Sequence, residues 1–280
     1  MNRKFASFIT TFITSGWLLL CLTSTARAES TLNKIQRTGV LKVAIRQDAA
    51  PFGYLDANDN IQGYCLDFFA ILEKQLLEKL NRNSLSVKLY KSTPNNRFDL
   101  VSRGIVDLEC GPNTIRSNLS EVDFSTGFFL TGTQFLVKEN NRIDLDGDLS
   151  SSILGVIDNT TTAEFIAQRY PLATLRKYSG VTARTRGVEA VEQGRIDAMI
   201  SDGILLRAEA QQQGLSSARY PLIPDLPLTC DRYGMIIPVE DPKWQNFVNS
   251  VINSSQIEAL STAWFTQLVN YTRSAVKFCK

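Results

Sequence analysis

Arginines, threonines and one aspartate recur where short apolar runs stop. Arg46 closes LKVAI (41–45), Arg97 ends STPNNR (92–97), and Thr114 and Arg116 lie in CGPNTIR (110–116). Further on come DNTTT (158–162), Arg184 with Arg186, and Asp202 in SDG (201–203). A planar guanidinium grips a carboxylate through two parallel hydrogen bonds. Several guanidiniums facing one space repel by about 1 kcal/mol per close pair unless an anion lies between them. Threonines at helix starts ordinarily cap, which by itself explains Thr160, Thr161 and Thr162; the free N–H groups there also bind anions. An aspartate suits an ammonium. Carboxylate sites plus one ammonium site describe an amino acid, and surplus arginine describes an acidic one. Most arginines after apolar runs are solvated strand ends, so the sharper reading requires these residues to converge.

The elements between them supply that convergence. After the LKVAI strand, Leu66, Phe69, Leu72, Leu76, Leu77 and Leu80 follow helical spacing from Gly63. LSVKLY (85–90) alternates like a strand, PNNRFDLVSRG (94–104) reads as a short helix opened by Pro94 and closed by Gly104, and IVDLEC follows as a strand. Strands alternating with crossover helices predict a parallel sheet. The rhythm returns in ILGVI (153–157), TTTAEFIAQRY, ATLRKY (173–178), ARTRGVEAVEQGR, DAMIS (197–201) and GILLRAEAQQQG. Two α/β units are therefore expected, joined by two extended crossings, one in TGTQFLVKEN (131–140) and one in the Pro-rich stretch 220–238. The last helical segment, broken near Asn253–Ser255, is expected to pack back on the first unit. Such a hinged pair places its ligand cleft at the carboxyl ends of the strands.

Composition removes several chemistries. The chain of 280 residues has no histidine, which excludes Ser-His-Asp and Cys-His triads and nearly all zinc-hydrolase schemes. Residues 1–28 carry a basic start, an apolar stretch and an Ala26-Arg27-Ala28 exit, the pattern of a secretory signal peptide, with a mature chain expected from about Glu29. Without Arg3, Lys4 and Arg27 the formal charge changes from +2 to −1, which argues against nucleic acid or anionic lipid as partner. An exported chain can hold disulfides. Connectivity among Cys65, Cys110, Cys230 and Cys279 does not follow from spacing, but Cys279 is a natural tether and Cys230–Cys279 is the expected pair. No pair has CxxC spacing, and no metal or cofactor is expected.

In LKVAIRQDAAPFGYLDANDNIQGYCLDFFAILE, VDFSTGFFLTGTQFLV, EQGRIDAMISDG, YGMIIPVEDPKWQNFVN and AWF, the chain resembles the periplasmic amino-acid-binding proteins of ABC transporters, bacterial solute-binding family 3. The resemblance runs from Leu32 to about Leu268 and is closest to the glutamate/aspartate-binding branch. It implies an α/β, two-lobed type II periplasmic-binding-protein fold. Residues 29–134 with 234–280 would form lobe 1 and 135–233 lobe 2, the two lobes joined by two hinge strands. It also implies an amino-acid ligand, a membrane permease as partner, a monomer and a periplasmic location. Arg46 and Arg97 resemble the arginines of the acidic-substrate branch. Thr114 matches a ligand hydroxyl, Thr160 and Thr161 the turn before the second lobe's helix, and Asp202 the group that takes the α-amino group. The family's α-carboxylate arginine stands where this chain has Asn118, so the role is carried to Arg116. Arg184 stands where acidic-substrate binders have histidine, Pro94 and Pro112 replace ligand-contacting serines, and Asn159 replaces a turn glycine.

Phe52 is expected at the cleft, whereas Tyr54 and Trp264 are expected in the core. Asp67 is expected to favour its helix dipole, and Arg186 and Arg195 to be surface charges. No enzymatic activity is expected. The rival readings are a dehydratase-like enzyme on the same scaffold, which needs a cleft carboxylate, and a sensory ligand-binding module acting through a partner.

Overall fold

The computed structural model describes residues 29–141, 143–266 and 279. The expected signal peptide, 1–28, lies outside the described residues.

The chain enters through α1 (Thr31–Thr38), capped by Ser30 and stopped by Gly39, which turns the chain in the left-handed conformation (φ 67°). Then follow β1 (Val40–Arg46), the short strands β2 (Asp48–Ala49), β3 (Gly53–Leu55) and β4 (Ile61–Gln62), and α2 (Tyr64–Lys79). Next come β5 (Ser86–Ser92), α3 (Arg97–Ser102), β6 (Leu108–Cys110), β7 (Val122–Phe124), β8 (Phe129–Thr131) and β9 (Thr133–Val137). The second unit continues with β10 (Ile153–Ile157), α4 (Thr161–Arg169), β11 (Thr174–Tyr178), α5 (Ala183–Glu192), β12 (Ala198–Asp202), α6 (Gly203–Gln212) and β13 (Leu222–Ile223). The chain returns through β14 (Asp231–Tyr233) and β15 (Ile236–Pro238), then α7 (Pro242–Ile252) and α8 (Ser255–Phe265).

These elements make two five-stranded sheets, β5-β1-β6-β15-β7 and β11-β10-β12-β9-β13, linked by the antiparallel pair β8 and β14. The fold is the two-lobed type II periplasmic-binding-protein architecture. β9 belongs to the second sheet: Thr133 and Gln134 already face Asp202 and Ser201 across the ladder. The expected change of lobe after residue 134 therefore falls inside a strand, and corrects to the β8–β9 junction. Gly132 occupies that junction, where a Cβ would lie 1.9 Å from the Thr229 carbonyl oxygen, so the two crossings can run side by side only with glycine there.

In each lobe the central strands are parallel and their carboxyl ends lie level. Arg46 pairs with Ser92 and Ile45 with Cys110; in the other lobe Ile157 pairs with Tyr178 and Val156 with Ile200. Lobe 1 packs Leu41, Val43 and Ile45 against Phe68, Leu72 and Leu76 of α2 and Trp244 and Val248 of α7. Each fully buried side chain of this kind contributes about 1.5–3 kcal/mol. The carboxyl-terminal helices lie on α2 as expected, with Gln75 donating to Gln256 at 2.9 Å. Trp244 donates through Nε1 to the Asp107 carbonyl oxygen at 2.8 Å, which ties α7 to the loop before β6.

One further expectation needs amendment. The helix expected from Pro94 begins at Arg97, because Thr93 and Asn96 exchange backbone-to-side-chain hydrogen bonds (2.7 and 3.3 Å) and hold residues 94–96 as a turn. The expected Cys230–Cys279 bridge is present, and a second bridge, Cys65–Cys110, fastens the start of α2 to the end of β6.

Candidate ligand cleft between the lobes

The strand ends and helix starts of both sheets face one cleft. Arg46, Arg97, Thr114 and Arg116 line it from the first lobe, and Thr160, Thr161, Arg184 and Asp202 from the second. Eight of the nine residues expected at the site are thus brought together. Phe52 is the exception: it is fully buried among the rings of Phe129 (5.1 Å), Tyr233 (5.4 Å) and Phe265 (5.7 Å). The turn that returns its N–H to the Ala49 carbonyl carries it into the aromatic core instead of the cleft.

Arg46 is not a solvated strand end. It is buried, and its Nε and Nη2 donate to the two carboxylate oxygens of Asp48, both at 2.7 Å. Gly111 makes room for it, since a Cβ there would stand 2.9 Å from Arg46 Cγ and 3.0 Å from Glu109 Oε1. Burial alone would raise the Asp48 carboxyl, but the Arg46 charge and hydrogen bond hold it below the usual range.

Arg97 and Arg116 flank one ring: their guanidinium carbons lie 4.4 and 5.1 Å from the centroid of Phe98. Arg97 donates from Nη1 to the Pro94 carbonyl, and burial together with nearby Arg46 brings its pKa down to about 10. It remains a cation at neutral pH. The Nε groups of Arg97, Arg116 and Arg184 are each buried without a hydrogen-bond partner. Buried N–H groups of this kind are costly unless an acceptor meets them.

In the second lobe Thr160 caps α4: its hydroxyl accepts from Ala163 N–H at 3.2 Å and donates to the Ile157 carbonyl at 2.7 Å. Asn159 adopts the left-handed conformation (φ 58°) that suits it to a turn-glycine position. Arg184, near the start of α5, is buried and reaches across the cleft to donate to the Asp48 carbonyl at 2.6 Å. Asp202 ends β12, where its carboxylate accepts from Tyr233 Oη and from Thr162 Oγ1 (3.3 Å). Burial pushes its pKa up, against those bonds and the Arg184 charge.

Several neighbours lie outside the set expected at the site. Phe98 carries two arginines, Thr162 holds Asp202, and Asp231 lies on the hinge with its carboxyl pushed up to about 7 by burial and by the Asp202 carboxylate. Glu109 is fully buried beside Arg46, its two oxygens taken by Ser92 (2.7 Å) and Asn113 (2.6 Å), and burial raises its pKa. It braces the loop that carries Thr114 and does not line the cleft. Arg186 and Arg195 are exposed, as expected, and Asp67 additionally accepts from Trp264 Nε1 at 2.8 Å.

Strand ends and helix starts from the two lobes thus bring four arginines and one aspartate to one cleft, and the sequence relationships give the family. Residues 41–267 match the model of the bacterial extracellular solute-binding proteins, family 3, and the chain belongs to that family. It is 28% identical to the glutamate/aspartate import solute-binding protein of Escherichia coli (strain K12), over 94% of this chain and 87% of that protein. It is likewise 28% identical to the L-glutamate/L-aspartate-binding protein of Pseudomonas aeruginosa, over 85% of this chain and 80% of that one. Among solved structures it resembles an ancestral amino acid-binding protein described as a precursor of cyclohexadienyl dehydratase. That likeness has a TM-score of 0.70 and 24% identity, and covers 85% of this chain and all of the other. A solute receptor for L-cysteine of Neisseria gonorrhoeae superposes with a TM-score of 0.69 at 24% identity, covering 85% of this chain and 93% of that one. The two structural likenesses speak to the fold.

Proposed function

We propose that this protein captures an acidic amino acid, glutamate or aspartate, between its lobes and delivers it to the membrane permease of an ABC importer. The observation that carries this reading is the set of buried, partnerless Nε groups on Arg97, Arg116 and Arg184, contributed by both lobes to one cleft. Two carboxylates of one ligand would satisfy them. Arg116 takes the α-carboxylate with the Thr114 hydroxyl, Arg97 and Arg184 take the side-chain carboxylate, and Asp202 takes the α-ammonium. Thr160 and Thr161 bring the N-terminus of α4 to the ligand's negative side.

Capture proceeds by hinge closure. Ligand docks on lobe 1 first and lobe 2 closes over it, because the closed form is favoured only by contacts the ligand makes with both. The permease reads the shut form. The reading places the protein in the periplasm as a monomer, exported through residues 1–28, and it is supported by the named substrates of the 28%-identical relatives.

A thermal-shift screen against the twenty amino acids tests it. Glutamate or aspartate at one hundred times Kd should stabilise the protein by about 2.7 kcal/mol through mass action. A shift with neutral amino acids and none with glutamate or aspartate would refute the acidic assignment.

A further inference from the structure

The four cleft arginines are of two kinds. Three have a buried Nε with no acceptor, whereas Arg46 is bound on both its Nε and Nη2 by one carboxylate of the chain itself. That carboxylate, Asp48, is as buried as its partner, with side-chain exposures of 2% and 4%. Its backbone carbonyl accepts the hydrogen bond from Arg184 of the opposite lobe. Asp48 therefore meets the cleft twice, as counter-ion to a lobe 1 arginine and as the seat of a lobe 2 arginine. A bidentate carboxylate on a guanidinium has the geometry that a ligand carboxylate would adopt there.

We propose that Asp48 is the residue that sets the charge selectivity of the cleft: its carboxylate occupies Arg46 in place of a ligand carboxylate and leaves Arg97, Arg116 and Arg184 to read the ligand. This rests on the amino-acid-binding reading above and adds how strongly the site discriminates between an acidic amino acid and its neutral amide. Asp48 acts through Arg46 as a positioning residue. Removing its charge releases a fourth cation into the cleft and should favour glutamate over glutamine, two ligands of nearly the same shape and different charge. A merely structural role would weaken both ligands alike.

The test is calorimetric titration of the full mature chain with glutamate and with glutamine, for the wild type, Asp48→Asn and Asp48→Ser. In either variant the ratio of glutamate to glutamine affinity should rise at least tenfold above that of the wild type. A folded variant with an unchanged or lowered ratio, or with no binding, overturns the proposal. A wild type that prefers glutamine, with variants shifted toward glutamate, would sink the acidic-substrate reading and uphold the role of Asp48. Should neither variant fold, the Nε–H nuclear magnetic resonances of the wild type decide during titration with glutamate and with glutamine. The Arg46 signal should stay in place while those of Arg97, Arg116 and Arg184 move; an Arg46 signal that moves with them contradicts the proposal.

Discussion

Arg184 and Asp48 join the two lobes: the guanidinium of one donates to the backbone carbonyl of the other at 2.6 Å across the cleft. A second bridge lies nearby, where Asn159 donates from Nδ2 to Asn95 Oδ1 at 2.9 Å. Lobe closure thus has polar contacts of its own, and under the proposed function Arg184 would serve both closure and ligand. Arg184→Ala should lower glutamate affinity at least tenfold and reduce the ligand-induced fall in radius of gyration, measured by small-angle X-ray scattering.

In the proposed site Arg97 is the lobe 1 cation for the ligand's side-chain carboxylate. Truncating it leaves a carboxylate buried without its partner, at a cost of about 2–5 kcal/mol in binding. Calorimetry with glutamate should show Arg97→Ala weakened by that amount; an unchanged affinity would remove Arg97 from the site.

Asp231 and Asp202 are buried carboxyls of the hinge region, and the neighbouring negative charge helps raise Asp231 to about 7. A carboxyl whose folded-state pKa lies above its unfolded value contributes stability at low pH and loses it as pH rises. The contribution of Asp231 is full below about pH 4, the ordinary aspartate value, and is lost as pH rises through about 7. Asp231→Asn should therefore gain stability relative to the wild type between pH 4 and 8, in urea unfolding followed by circular dichroism. A constant difference across that range would show that Asp231 titrates normally.

The Cys65–Cys110 bridge closes a separation of 45 residues and holds the strand that leads into Gly111 and Thr114. Replacing both cysteines by serine should cost about 2–4 kcal/mol of stability, measured by denaturant unfolding.

Much of this molecule is legible in its residues. LKVAI, LSVKLY and ILGVI become β1, β5 and β10 because apolar content and alternation fix strands wherever a face is buried. Parallel strands then bring their carboxyl ends level, which is why Arg46, Thr114, Thr160 and Asp202 could be placed at one cleft from sequence. What the sequence does not carry depends on side-chain direction and on contacts between distant segments. The Arg46–Asp48 pair is set by the turn between β1 and β2, the stacking of Arg97 and Arg116 on Phe98 by the return of the chain after β6, and the burial of Phe52 by rings from four other elements. Pro94 marked a helix start that the Thr93–Asn96 turn moves to Arg97.

Equilibrium dialysis of the purified protein against radiolabelled L-glutamate and L-aspartate interrogates the cleft most directly. One molecule bound per chain is expected, displaced by the unlabelled acidic amino acids and lost when Arg97 and Arg184 are both replaced by alanine. Binding that survives that double replacement, or no retention of either acidic amino acid by the wild type, would contradict capture by arginines from both lobes.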